Sequence, residues 1–246
     1  MVTNPSCHVG LCYPYLGIHD LEAQLKVPMT LIAAMRESES SVLLAADSGA
    51  LETGGIPVDN IDKLHGRQDA PMAWAWAGNP DVGIPFDDWL EKLDPLPKDW
   101  EAWRVALREQ LGKLNCEQRD LVAATGASES ENDTANVLVV GVCGSLDILE
   151  IDDRGNAPSH WHLGVQTVGS KLGRAIFLGA YNAFVGLEIA PAEKLWRIMN
   201  ATVKIPQECS GPVKIWRITS GGVQEGVERE RDVGPGGAGV REPRPD

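Results

Sequence analysis

The sequence is short of positive charge. Its 22 Lys and Arg face 35 Asp and Glu, for a formal net charge of −13. Nucleic acid and anionic membrane surfaces would be repelled, so neither is an expected partner. Long apolar runs are also missing. None reaches the roughly 18 residues that a membrane-spanning helix needs. No Lys or Arg precedes Lys26, and no compact apolar block lies near the start, so a secretory signal is not expected. Cysteine is scarce. Cys7, Cys12, Cys116, Cys143 and Cys209 are odd in number, widely spaced and include no C-x-x-C pair. That usage fits a reduced, cytoplasmic compartment. Cys7, His8 and Cys12 match no standard metal-ligand spacing, and His160 and His162 have no third ligand close by.

What is present is enough apolar residue, 43% of 246, to fill the core of one domain. Residues 1–28 carry three prolines and no sustained periodicity, and Gly221–Asp246 is a Gly- and Pro-rich stretch expected to be a disordered tail. The folded domain is expected at 29–220. Within it, Thr30–Met35 and Ser41–Ala46 flank a polar turn and read as a hairpin, followed by a short apolar run at Met72–Trp76. Phe86–Leu93 has helical spacing, Pro95 and Pro97 interrupt it, and a second stripe runs from Trp100 to about Asn115. Trp89, Trp100 and Trp103 make this region dense in tryptophan. It reads as a packing stripe, part of which is expected to meet another subunit.

The second half repeats the order. Val137–Val142 and Leu146–Ile151 form a hairpin, His162–Val168 a strand, Ser170–Phe184 a helix, and Pro191 opens a helix through Val203. Val213–Ile218 is a closing strand. Paired strands followed by helices, twice, suggest two face-to-face sheets with helices outside, in the α+β class. Pattern alone does not choose among layered folds of this kind.

Short motifs narrow the choice. Met29–Ala50 ends in Ala45-Ala46-Asp47-Ser48-Gly49-Ala50, Lys63 follows a short loop, and an apolar run ends in Ala77-Gly78. Val168-Gly169-Ser170 precedes a long helix, and Ser210-Gly211-Pro212-Val213 precedes the last strand. In this order, over about residues 29–220, the motifs resemble proteasome-type β subunits, threonine peptidases of the N-terminal-nucleophile hydrolase superfamily. The Asp47–Lys63 spacing matches that family. Thr30–Asp47 is one residue longer, as an insertion at the hairpin turn would make it.

The resemblance implies a four-layer αββα sandwich and a peptidase that needs no cofactor. It assigns Thr30 as nucleophile, Lys63 beside its hydroxyl, and Asp47 as the partner of Lys63. Gly78 would supply the oxyanion N–H, and Ser170 and Ser210 would complete the network near the amine. Ser170 reads equally as a helix cap. The family's Asp three residues before the second serine is Gln207 here, next to Glu208.

A threonine hydroxyl needs a base, and a free α-amine can serve only if Thr30 begins the chain. Met29 before Thr30 suits removal of an initiator methionine, so residues 1–28 are expected to be either a start-site artefact or a prosegment. The implied partners are peptide or unfolded-protein substrates, copies of the chain in a ring or other closed homo-oligomer, and an ATP-dependent unfoldase. Two other readings stay open: a non-catalytic structural subunit on the same fold, and a small-molecule amidohydrolase of the superfamily.

Overall fold

The computed structural model describes residues 30–227, apart from 49, 52–56, 59–61, 68, 127, 129–132, 157–163 and 204–211. Strands β1 (Leu31–Ser38) and β2 (Ser41–Asp47) form the first hairpin. Two-residue strands β3 (Ala50–Leu51) and β4 (Pro57–Val58) pair with each other, and β5 (His65–Gly66) and β6 (Met72–Gly78) follow. Helices α1 (Pro80–Lys92) and α2 (Trp100–Ala124) lead to the hairpin β7 (Ala135–Cys143) and β8 (Ser145–Ile151). Then come β9 (Val165–Gly169), α3 (Lys171–Phe184), α4 (Pro191–Val203), β10 (Val213–Thr219) and β11 (Gly222–Gln224). The fold is α+β. One antiparallel sheet has the order β11-β10-β2-β1-β9 and another the order β5-β6-β7-β8.

Side-chain alternation along the strands explains their near-continuous apolar character. Successive residues point to opposite faces of a sheet. In β1, Leu31, Ala33 and Met35 pack with Phe177 of α3 and with Leu195, Ile198 and Met199 of α4. The alternate residues Ile32 and Ala34 pack with Ala73, Ala75 and Ala77 of β6 and with Leu138 and Val140 of β7. Strand β6 divides likewise: Trp74 joins Phe86, Leu90, Trp103, Leu107 and Leu111 of α1 and α2. Three apolar clusters thus lie between a helix pair and one sheet, between the two sheets, and between the other sheet and the other helix pair.

Several elements run past their expected bounds. The first hairpin's β1 reaches Ser38 because an extra residue enters as a bulge: the pairing shifts between Arg36 and Ser38. Helix α1 starts at Pro80, capped by Asn79 Oδ1, which accepts from the Asp81 N–H at 2.8 Å. Pro85 lies inside it, and a proline there reads as a helix breaker in the sequence. Helix α2 continues nine residues beyond Asn115, with Leu121 exposed. The sheet also extends past 220. Strand β11 pairs with β10, and the Val227 N–H donates to the Ile215 carbonyl at 2.9 Å. Residues 221–227 are therefore part of the fold and not of the tail.

Trp100 and Trp103 are buried in the chain's own core. Among the described residues, large apolar side chains are exposed at Ile84, Val105, Leu121, Leu178, Val185 and Leu187 instead.

Candidate active site

Thr30 immediately precedes β1. Across the hairpin, Asp47 ends β2 opposite Leu31, and its Oδ1 accepts the Leu31 N–H at 2.9 Å. The carboxylate thereby takes the place of a ladder acceptor and fixes the backbone next to Thr30. Asp47 Oδ2 meets Lys63 Nζ at 3.0 Å, and the same Nζ donates to Thr30 Oγ1 at 3.3 Å. Lys63 Nζ is thus within hydrogen-bond reach of both Thr30 and Asp47, three residues that the motif order expects to lie together.

Asp47 is almost completely buried. Burial pushes its carboxyl above the usual range, while the Lys63 charge and the Leu31 N–H pull the other way. Next to it, Ser48 is also buried, and its hydroxyl donates to the Pro212 carbonyl at 2.8 Å, tying the end of β2 to the start of β10.

Gly169 pairs with Leu31 at φ +139°, and a Cβ there would collide with the Thr30 carbonyl oxygen. Only glycine lets β9 approach the backbone of Thr30 so closely. Ser170, the next residue, caps α3: its Oγ accepts the Gly173 N–H at 3.0 Å. The capping role expected for Ser170 is therefore present. Ser210, Gln207 and Glu208 lie outside the described residues, as do Cys7, His8, Cys12, His160, His162 and residues 1–28.

Gly78 is the last residue of β6, at φ +123°, opposite Ala135. The Asn79 N–H donates to the Thr134 carbonyl at 2.9 Å, so Asn79–Thr134 is a bonded pair. Bonded and non-bonded pairs alternate along an antiparallel ladder. Gly78–Ala135 is then a non-bonded pair, and the Gly78 N–H points away from β7, toward the side of β5. Strand β5 pairs with β6 at Trp74 and Ala73, and the Arg67 N–H donates to the Met72 carbonyl at 3.0 Å.

Two supports of this region are not among the sequence-derived site residues. The outward N–H and C=O of Ala135 have no β8 partner, because β8 ends at Ile151, opposite Val137. Buried Asn115 of α2 replaces the missing strand: its Oδ1 accepts the Ala135 N–H at 2.8 Å and its Nδ2 donates to the Ala135 carbonyl at 3.1 Å. Asp87 of α1 accepts the indole N–H groups of Trp74 and Trp76 at 2.8 and 2.7 Å and lies 3.3 Å from His65 Nε2. Burial raises the Asp87 carboxyl, opposed by His65 and the two indoles. A sequence signal exists for both residues: each is a polar side chain on the apolar stripe of an amphipathic helix.

Among the described residues, no group of three or more His, Cys, Asp or Glu could hold a metal ion, and no helix is long and apolar enough to cross a membrane.

No family model matches the chain, and no match is found among curated proteins. Solved structures do match. The chain is similar to eukaryotic HslV from Trypanosoma brucei, with 20% identity and a TM-score of 0.53 over 77% of this chain and 99% of that one. It is also similar to Anbu, an ancestral β-subunit, from Yersinia bercovieri, with 19% identity and a TM-score of 0.61 over 80% of this chain and 88% of that one. The class these likenesses define is the proteasome-like β-type fold.

Proposed function

We propose that this chain is a threonine-type peptidase of the N-terminal-nucleophile class, acting through an acyl-enzyme at Thr30. The observation that carries the reading is the contact of Thr30 Oγ1 with Lys63 Nζ at 3.3 Å, with Lys63 held in turn by buried Asp47 at 3.0 Å. An ammonium beside a hydroxyl favours its ionised form, and a buried carboxylate keeps the ammonium charged and aimed. The three apolar clusters support a four-layer αββα sandwich as the frame.

In the full chain the Thr30 nitrogen is the amide of the Met29–Thr30 bond and is not basic. Once that bond is gone, the α-amine, with an ordinary pKa of about 7.7–8.0, is partly neutral at pH 7 and can accept the hydroxyl proton. Oγ1 then attacks the substrate carbonyl carbon. The Gly78 N–H, free of the β7 ladder, stabilises the oxyanion. Collapse of the tetrahedral species passes the proton to the leaving amine and leaves an ester on Thr30. Water, deprotonated by the same amine, hydrolyses the ester. Ser170 and Ser210 support the amine.

The reading includes peptide or unfolded-protein substrates, a cytoplasmic setting, a closed homo-oligomer and an ATP-dependent unfoldase as partner. The exposed apolar group Leu178, Val185 and Leu187 is the surface that assembly would cover. A second reading, a non-catalytic subunit of such an assembly, is favoured by the uncharged Gln207. The two separate in one assay. A chain beginning at Thr30 should cleave members of a broad peptide library, and its Thr30→Ala variant, equally folded, should cleave none. Absence of cleavage by a folded chain beginning at Thr30 supports the structural subunit.

A further inference from the structure

The proposed chemistry depends on where Lys63 sits, and Lys63 belongs to a weakly paired stretch. The strand that follows it, β5, is only two residues long and lies at the edge of its sheet. A ladder this short holds little by itself. Helix α1 holds it from the side. The Arg67 guanidinium donates to the Leu90 and Leu93 carbonyls at the C-terminal end of α1, at 2.8 and 2.9 Å. Two residues closer to Lys63, His65 stacks on Trp74, with ring centroids 6.1 Å apart and planes 19° apart, and its Nε2 lies 3.3 Å from Asp87 Oδ2.

Asp87 also holds β6. Its two oxygens take the indole N–H groups of Trp74 and Trp76, the latter two residues before Gly78. The helix meets this face at Gly83, where any Cβ would collide with the Trp76 ring. One buried carboxylate therefore joins the segment that carries Lys63 to the strand that carries Gly78. An apolar residue at this position would avoid the cost of burying a carboxylate. Two indole N–H groups and the His65 imidazole converge on it instead.

We propose that Asp87 is a positioning residue of the Thr30 site, acting through His65 on Lys63 and through Trp76 on Gly78. The proposal rests on the peptidase reading above, and its test separates the two. Asp87→Asn keeps the shape but presents an amide N–H₂ to one of these three groups. In the chain beginning at Thr30, this variant should stay folded, shift the indole N–H resonances of Trp74 and Trp76, and move the Lys63 side-chain ammonium resonance. Its kcat should fall by about 10²-fold, the scale of a 1 Å misplacement, with KM nearly unchanged. His65→Ala should show the same Lys63 shift, His65→Gln should restore most of kcat, and His65→Ala with Asp87→Asn should be no worse than the worse single variant. If Asp87→Asn does not fold, His65→Ala, which removes only one of the three groups, carries the test. A Lys63 resonance identical to the wild type in a folded variant overturns the proposal, whether or not the chain cleaves peptides. A wild-type chain that cleaves nothing contradicts the peptidase reading alone.

Discussion

Lys63 joins two residues from different parts of the chain: it is hydrogen-bonded to Thr30 and ion-paired with Asp47, and the pair is largely shielded from water. Removing one partner of such a pair leaves the other charge uncompensated, at a cost of about 3–5 kcal/mol when buried. In Lys63→Ala the Asp47 carboxyl, already raised by burial, loses its main opposing influence and rises further. A carboxyl whose folded pKa exceeds its unfolded value of about 3.9 binds its proton more tightly when folded. That contribution to stability is fully present below the unfolded value and is lost as pH rises through the folded one. Lys63→Ala should therefore unfold more easily than wild type at pH 7 and approach it below about pH 4, as thermal melts across pH would record. Peptide hydrolysis should fall by at least about 10²-fold. Near-wild-type hydrolysis by folded Lys63→Ala removes Lys63 from the chemistry. Thr30, Asp47 and Lys63 were legible in the sequence because motif spacing carries them. Asp87 and Asn115 showed only as polar side chains on apolar stripes; their roles, and that of His65, were not legible, because their partners come from other elements and no local pattern encodes a side chain standing in for a strand.

At the level of elements, the bulge in β1 has a definite consequence. Glu37, at the pairing shift, meets Arg217 of β10 in a bidentate pair, with Nε to Oε2 at 2.7 Å and Nη2 to Oε1 at 2.8 Å. Arg217 holds the Glu37 carboxyl below its ordinary range. A lowered carboxyl contributes stability above its unfolded pKa of about 4.3, and that contribution is lost as pH falls through the folded value. Glu37→Gln should lower Tm by roughly 2–4 °C at pH 7, the shift for about 1 kcal/mol in a domain of this size. The difference should shrink at lower pH, as pH falls through the folded value. An equal deficit at pH 7 and at lower pH would mean that packing, and not charge, is lost. Strand and helix types were readable from periodicity almost throughout. Their ends were less so. Pro85 hid the first turn of α1, and the polar last turns of α2 carry no apolar stripe to mark them. Strand β11 escaped notice because its three residues sit in a Gly-rich stretch whose composition resembles a tail.

For the whole molecule, the sequence pattern already contained the layering. Runs such as Leu31–Met35 and Val42–Ala46 are apolar at every position, as strands covered on both faces must be. The packing of Leu31 against helices and Ile32 against the opposite sheet is the same fact seen in three dimensions. Pattern did not single out this fold among layered relatives; the motifs and the likeness to HslV and Anbu did. The proposed chemistry requires Thr30 to be the first residue, acting through its own amine. Intact-mass measurement after exposure to a threonine-directed epoxyketone, which needs both hydroxyl and amine, tests it most directly. A chain expressed from Met29 and relieved of its methionine should gain one inhibitor mass. The chain with residues 1–29 attached, and Thr30→Ala of the shorter chain, should gain none. Equal labelling with and without residues 1–29, or no labelling of a folded chain beginning at Thr30, would contradict the claim.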